Sequence, residues 1–244
     1  TNINIWWIRR DIRLADNQSL SKAKSTAEQV VPLFILDPAL LRSEYSGEKR
    51  LAFLFAGLRA LDEDLRKRGS SLILRSGNPL HVLSELTDEV QAAGIYAETD
   101  YSPYARKRDD AVAQSLPLHL LPGLTVHAPD AVVKADGTPY TVFTPFSKAW
   151  KDQPVMGMLL LAPEHISTPT GLKSEPIPLN STSVLFPAGE KAAHSLLNRF
   201  TADGISSYAE ARNPMDMKGN SGLSPYLRFG ILSARQAYDD ARRA

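Results

Sequence analysis

Asn2-Ile3-Asn4-Ile5-Trp6-Trp7-Ile8-Arg9 and Gln29-Val30-Val31-Pro32-Leu33-Phe34-Ile35-Leu36-Asp37 are the two stretches on which the fold turns. Both are mostly apolar runs that reach a charged residue only at their carboxyl ends. A strand with one wet face alternates apolar and polar residues, whereas a continuous run belongs to a strand buried on both faces, as in a parallel sheet. Ser71–Ser76 and Gly94–Asp100 read as a third and fourth strand, with Thr125–Val133 a weaker fifth. Between them the period becomes helical. Leu51, Leu54, Phe55, Leu58, Leu61 and Leu65 mark a helix over Arg50–Arg68 that Gly69 stops, and Leu80, Leu83, Leu86 and Val90 mark one over Pro79–Ala93 that ends at Gly94. This alternation predicts a doubly wound α/β unit with a five-stranded parallel sheet over residues 1–130.

With 244 residues the chain has room for one large or two small domains, and 43% hydrophobic residues with balanced charge exclude a disordered polypeptide. There are no cysteines, so disulfides and thiolate metal sites are excluded, and a reducing cytoplasm suits the composition. No apolar run approaches membrane-spanning length, and no basic-then-apolar leader follows Thr1. A net charge of +1 makes no electrostatic case for nucleic acid. The histidines at 81, 119, 127, 165 and 194 lack ligand spacing, so no metal site is expected. Neither G-x-G-x-x-G nor G-x-x-x-x-G-K-[ST] occurs, which removes the two common nucleotide fingerprints. On charge alone, the Arg9, Arg10, Asp11, Arg13, Asp16 cluster reads as a solvated loop with weak local ion pairs.

Residues 131–188 change character. Prolines at 139, 145, 154, 163, 169, 176, 178 and 187 preclude long helices and favour extended backbone, so this stretch reads as a long linker over the surface. Helical pattern resumes over Glu190–Phe200. Ser207-x-x-Glu210 and Ser233-x-x-Gln236 are capping boxes that mark two further helix starts. The last helix, Ala234–Ala244, stops with no closing Gly, Asn or Pro, so the chain is expected to be the front part of a longer polypeptide cut inside a helix.

Near the tail stands Gly219-Asn220-Ser221-Gly222-Leu223-Ser224-Pro225-Tyr226-Leu227-Arg228-Phe229-Gly230. Small residues run into a helix opened by Ser224 as cap and Pro225 as first helical residue, which aims backbone N–H groups and a positive dipole end at one spot. On its own this is either a phosphate cradle or an ordinary Gly-rich turn before a capped helix. Tyr208 and Arg212 lie one turn apart just upstream.

Tyr208-x-x-x-Arg212-Asn213 with the Gly219–Gly230 stretch resembles the flavin-binding segment of the photolyase/cryptochrome family. Trp6–Asn17, Tyr101–Asp109 and Tyr140–Phe146 resemble further segments of it, in the same order. The resemblance implies a Rossmann-like antenna domain over 1–130, a linker over 131–188, and over 189–244 the first helices of an all-helical FAD domain. It implies a light-driven lyase, a deoxyribodipyrimidine photo-lyase that repairs cyclobutane pyrimidine dimers in DNA with an electron from reduced FAD. By resemblance Tyr208, Asn220, Ser221, Gly222, Leu223 and Ser224 hold FAD, with Asn220 standing where the family usually has Thr. Arg212 holds a DNA backbone phosphate, or else simply pairs with Tyr208 on one helix face. Arg10, Phe34, Asp37, Arg50, Asp100 and Arg228 match the pocket of an antenna chromophore of deazaflavin type, which leaves an 8-hydroxy-5-deazaflavin, FMN or an empty site as the alternatives. Folate-binding members usually carry Asn-Glu where this chain has Tyr104-Ala105, which argues against folate. Trp6 and Trp7 read as core residues, not as electron-relay tryptophans. No catalytic residue is expected here, and the remaining helical portion, as a continuation or a separate chain, is the expected partner; alone, the chain is expected not to retain FAD. A cryptochrome-type signalling flavoprotein is the nearest rival, and a nucleotide-binding module of universal-stress or electron-transfer-flavoprotein type is a rival of another class.

Overall fold

The computed structural model describes residues 2–41, 46–155, 157–179, 182–217 and 219–244. Five strands, β1 (Ile3–Ile8), β2 (Gln29–Leu36), β3 (Ile73–Ser76), β4 (Gly94–Glu98) and β5 (Leu118–Leu121), form one parallel sheet in the order β3-β2-β1-β4-β5. The expected α/β architecture is present, and each continuous apolar run is buried on both faces. From β1, Trp6 and Ile8 enter one core with Phe34, Phe53, Leu58 and Leu61, while Ile5 and Trp7 enter the other with Leu33, Ile73, Leu83 and Ile95. Trp6 and Trp7 are 0% and 1% exposed, as befits core residues.

Helices α1 (Gln18–Ser25), α2 (Pro38–Leu41), α3 (Glu48–Arg66), α4 (Pro79–Val90) and α5 (Pro103–Ala113) occupy the connections. The Asn78 side chain caps α4 by accepting from the N–H groups of Leu80 and His81, with Pro79 just inside the helix. Gln91, in the left-handed region at φ 51°, closes α4, so Gly94 opens β4 and is not the stop the sequence suggests.

The fifth strand lies earlier than expected, at Leu118–Leu121 and not Thr125–Val133. Four residues between Pro117 and Pro122 form a short edge strand with Leu120 42% exposed, so it lacks the apolar run that marks the buried strands. The 125–133 stretch contributes one antiparallel bridge, Val133 to Pro139.

Within the proline-rich stretch a ten-residue helix forms, α6 (Phe143–Asp152). Pro145 sits in its first turn, where the missing N–H would have had no helical partner anyway. Residues 157–179 carry no helix or strand and are stitched to the α/β unit. Ile166 N–H donates to Arg68 O (2.9 Å), Val30 N–H to Ser167 O (2.8 Å) and Glu175 N–H to Leu74 O (2.8 Å).

The tail comprises α7 (Glu190–Arg199), a π turn (Phe200–Gly204), α8 (Tyr208–Ala211), α9 (Ser224–Arg228) and α10 (Ala234–Arg243). Two of the expected caps differ. Helix α9 begins at Ser224 itself, with Leu223 in the cap position and no side-chain cap, because the chain reaches the helix already in helical conformation. Ser207 bonds back to Gly204 O and does not cap α8. Ser233 does cap α10, accepting from Arg235 and Gln236 N–H, while the Gln236 amide turns to Asp240 and does not close the box.

The tail returns to the sheet at Gly230. Its φ is +61°, and a Cβ there would lie 1.7 Å from Arg10 O. Gly137 has φ +80° but open space around it. Gly137→Ala is therefore expected to cost about 1 kcal/mol, the left-handed penalty alone, and Gly230→Ala about 3 kcal/mol or more because the backbone contact must also open. Urea unfolding midpoints of the two variants check the difference.

Candidate functional site

In a doubly wound sheet the crevice opens beyond the carboxyl ends of the strands where the strand order reverses. Here β1 leads to Arg9 and Arg10, β2 to Asp37 and β4 to Asp100, and a cavity of about 960 Å³ lies over those ends. All six positions expected to form a chromophore pocket, Arg10, Phe34, Asp37, Arg50, Asp100 and Arg228, line it. Phe53, Phe186 and Phe229 supply further apolar wall, with Phe53 edge-on to Phe186 at 6.4 Å between ring centroids. Apolar walls with a few convergent polar groups are the usual character of a small-molecule site.

The polar groups are held in definite states. Asp37 accepts from the Tyr104 hydroxyl through one oxygen and from Ala39 N–H (2.9 Å) through the other. Burial, and then the bond to Asp37, push the Tyr104 hydroxyl up to about 12, so it stays protonated at any working pH. Burial works to raise the Asp100 carboxyl. The Ser102 N–H (3.0 Å) and the charge of Arg10 more than offset this, so Asp100 sits below the usual carboxylate range. Arg10 bridges Asp100 (3.4 Å) and Arg228 O (3.3 Å).

Arg108 and Trp7 also line the cavity, where sequence reasoning did not place them, and so does Tyr104, which the resemblance had set at the folate-binding position. Tyr104 stands in the first turn of α5, directly after β4, and residues entering a helix from a strand end are the ones that face such a crevice. The Trp7 ring lies between the guanidinium groups of Arg9 (4.6 Å) and Arg108 (4.8 Å).

Beneath the cavity the charged cluster is buried, not solvated. Asp11, Arg13, Asp16 and Asn17 are each 1% exposed. Arg9 grips Asp109 with two bonds of 2.7 and 2.6 Å. Asp11 accepts from Trp6 Nε1, Asn17 and Ser19. Arg13 donates to both oxygens of Glu98 (2.8 and 3.0 Å) and to the carbonyls of Asp16, Gly123 and Gly230. The partners Glu98 and Asp109 are 85 and 100 residues away, so no local charge pattern reveals them. Burial pushes the Glu98 carboxyl up to about 7 against the pull of Arg13.

The tail loop forms a second candidate surface. Gly219 packs so closely on α8 that a Cβ would lie 2.0 Å from Ala211 O, and Gly222 takes φ +69°. Among the described residues the N–H groups of Asn220, Ser221, Gly222 and Ser224 make no hydrogen bond. Leu223 differs: its N–H meets Ser221 Oγ (3.4 Å) and its side chain is in the core. Ser224 also faces the larger cavity, on the side of Arg228. Tyr208 is 38% exposed, edge-on to Phe200 (5.7 Å), and the Arg212 guanidinium lies 5.8 Å from its ring, so the two form a pair on one helix face.

Comparison with known proteins follows this geometry. The sequence model of the family described as DNA photolyase matches residues 4–168. A deoxyribodipyrimidine photo-lyase of Synechococcus is 34% identical over 98% of this chain and 54% of its own length. A cryptochrome DASH of Natronomonas pharaonis is 30% identical over 97% and 55%. Among solved structures, a class III photolyase from Agrobacterium tumefaciens superposes with a TM-score of 0.90 at 27% identity, covering 98% of this chain and 53% of that one. An archaeal photolyase from Sulfolobus tokodaii, solved with two FAD molecules, superposes with a TM-score of 0.77 at 25% identity over 97% and 54%. The chain thus spans about half the length of these relatives.

Removing one partner of a buried ion pair strands the other, so Arg13→Met is expected to cost about 3–5 kcal/mol. The loss should be smaller near pH 5 than near pH 8, because a carboxyl with a raised pKa already carries its proton at the lower pH and needs no counter-ion. Urea unfolding of the variant at the two pH values checks both statements.

Proposed function

The chain belongs to the DNA photolyase family, and from that membership we propose that it is the antenna-bearing part of a cytoplasmic light-driven lyase that splits cyclobutane pyrimidine dimers in DNA. Residues 1–130 make the antenna unit, 131–188 the connection, and 189–244 the first helices of the FAD unit. The observation that carries this reading is the convergence of Arg10, Phe34, Asp37, Arg50, Asp100 and Arg228, drawn from distant parts of the chain, on one cavity at the carboxyl edge of the sheet.

Both cofactors fit the residues present. Flat aromatic rings suit a cavity of about 960 Å³ walled by Phe34, Phe53 and Phe229, and the charged groups at its edge suit a flavin's polar ends. A diphosphate suits the tail loop, where small residues carry N–H groups, those of Asn220, Ser221, Gly222 and Ser224, that make no hydrogen bond among the described residues. Reduced FAD, when bound and excited by light, would supply a single electron that opens the dimer and then returns to the flavin, so that the reaction is redox-neutral overall. The chain's own part is to hold and orient. Tyr208, steadied by Phe200, would contact the cofactor's nucleotide portion, and Arg212, beside the Tyr208 ring, would hold a DNA backbone phosphate without reading sequence. A light-collecting flavin or deazaflavin would be held by Arg10, Phe34, Asp37, Arg50, Asp100 and Arg228, and Tyr104-Ala105 in place of the usual folate-binding pair argues against folate.

The similarity to a cryptochrome DASH supports a second reading, a light-signalling flavoprotein with the same cofactor. The nucleotide-binding module of universal-stress or electron-transfer-flavoprotein type is set aside, because the similarity to a photo-lyase sequence and to a photolyase structure covers 98% of this chain, including the connection and tail that it left without a purpose.

The full-length gene product purified in the dark is expected to show flavin absorption together with a second chromophore band, and to remove cyclobutane dimers from irradiated oligonucleotides only under light. Flavin absorption with no light-dependent repair would favour the signalling reading. Absence of any bound flavin would overturn both.

A further inference from the structure

We propose that Tyr104 and Asp37 form a light-driven electron and proton donor at this cavity: the Tyr104 ring gives one electron to an excited, oxidised flavin-type ring, and its phenol proton passes to the Asp37 carboxylate. This rests on reading the cavity as a chromophore site, and it gives that site a redox step of its own.

Among the described residues, two of the rings that line the cavity lose an electron readily, Trp7 and Tyr104, whereas Phe34, Phe53, Phe186 and Phe229 do not. A phenol or indole that loses an electron becomes strongly acidic. Its oxidation is therefore easy where a base stands within hydrogen-bond reach and costly where the positive charge must stay in a place of low dielectric. The two rings differ in this respect. The Tyr104 hydroxyl donates to one oxygen of Asp37, and the Ala39 N–H (2.9 Å) holds the other oxygen, so the proton acceptor is fixed in place. Burial and the bond to Asp37 keep the phenol protonated in the dark, and its proton moves only when the electron does.

Trp7 has the opposite setting. It is 1% exposed, and its indole N–H meets no acceptor among the described residues. The guanidinium groups of Arg9 and Arg108 lie 4.6 and 4.8 Å from its ring and share one carboxylate, Asp109 (2.6 and 2.9 Å), which leaves a net positive charge beside the indole. An oxidised Trp7 would add a further positive charge there. Arg108 also lies 5.8 Å from the Tyr104 ring, where it opposes a charged oxidised ring and not a neutral one. It thereby selects the route in which the proton leaves with the electron. In that step the Tyr104 O–H bond breaks and an O–H bond forms on Asp37. Tyr104 is oxidised by one electron to a neutral tyrosyl radical, the flavin ring is reduced by one, and the summed charge of the three groups is unchanged. Return of the electron and the proton restores the dark state, so the pair discharges a pigment that has not passed its energy on.

FMN is the probe, added in the dark to the purified chain, and the readout is the fluorescence lifetime of the bound flavin beside that of free FMN. In the unaltered chain the lifetime is expected to be about tenfold or more below that of free FMN. Tyr104→Phe and Asp37→Asn, both close in shape to the native residues, are each expected to lengthen it about fivefold or more, while Trp7→Phe leaves it short. Heavy water is expected to slow the quenching about twofold, because a proton moves in the step. A transient neutral tyrosyl radical is expected in the unaltered chain and not in Tyr104→Phe. A bound flavin with the lifetime of free FMN overturns this inference and leaves the chromophore reading intact. So does a lifetime unmoved by Tyr104→Phe, or one restored by Trp7→Phe alone. Quenching that survives Asp37→Asn and is insensitive to heavy water overturns the proton transfer to Asp37. Where a variant no longer binds FMN, absence of the radical or of the heavy-water effect in the unaltered chain still overturns the inference. Failure of the unaltered chain to bind FMN overturns the chromophore reading and this inference with it.

Discussion

One guanidinium group, almost wholly withdrawn from water, holds the architecture at its centre. Arg13 leaves the loop after β1 and meets Glu98 at the end of β4, and it also binds backbone carbonyls at Asp16, Gly123 and Gly230. These five acceptors come from four separate stretches of chain. Taking an arginine and a glutamate out of water costs several kcal/mol per ion, and the bonds from the two terminal nitrogens of Arg13 offset that cost while its Nε stays buried without a partner. Its return is geometric: it fixes where the β1 loop, the β4 exit and the tail meet. Asp16 extends the same role. Held at φ 48°, it accepts from Leu160 N–H and from Ser233 Oγ, so the extended connection and the start of α10 attach to one residue.

The cavity follows from that anchoring. Along the β1 loop the charged side chains separate by role. Arg9, Asp11 and Arg13 turn into the protein toward Asp109, Trp6 and Glu98, while Arg10 turns out over the sheet edge to Asp100. Gly230 then lets the tail touch the Arg10 carbonyl directly, bringing α9 with Arg228 and Phe229 to the cavity wall. A few ångströms of added bulk at that contact would lift the wall away from the sheet.

The sequence reading succeeded where the cause is local and stumbled where it is not. The strands β1 and β2 were visible because burial on both faces leaves an uninterrupted apolar run, and α3 because its apolar stripe keeps helical spacing over nineteen residues. The edge strand β5 was missed since four half-exposed residues carry no such signature, and a stretch with more β-branched residues drew attention instead. Ion pairing across 85 and 100 residues leaves no mark in a local charge pattern, which is why the Arg9–Asp16 cluster read as solvated. The positions of the cavity were legible only through a family pattern, not from periodicity or composition. Even that pattern passed over Arg108 and met Tyr104 only as part of a replaced folate-binding pair, because what brings both to the cavity is the entry of α5 beside it.

The cavity draws its walls from both ends of the chain: its floor is the sheet, while Leu185 and Phe186 come from the end of the connection and Arg228 and Phe229 from the tail. Binding there is therefore thermodynamically linked to the docking of that later segment. Whatever occupies the cavity tightens the seam between front and tail, and whatever loosens the seam weakens the occupant by the same factor. A light-collecting pigment in this position would double as mortar, and pigment-free protein would be the one whose halves come apart more readily.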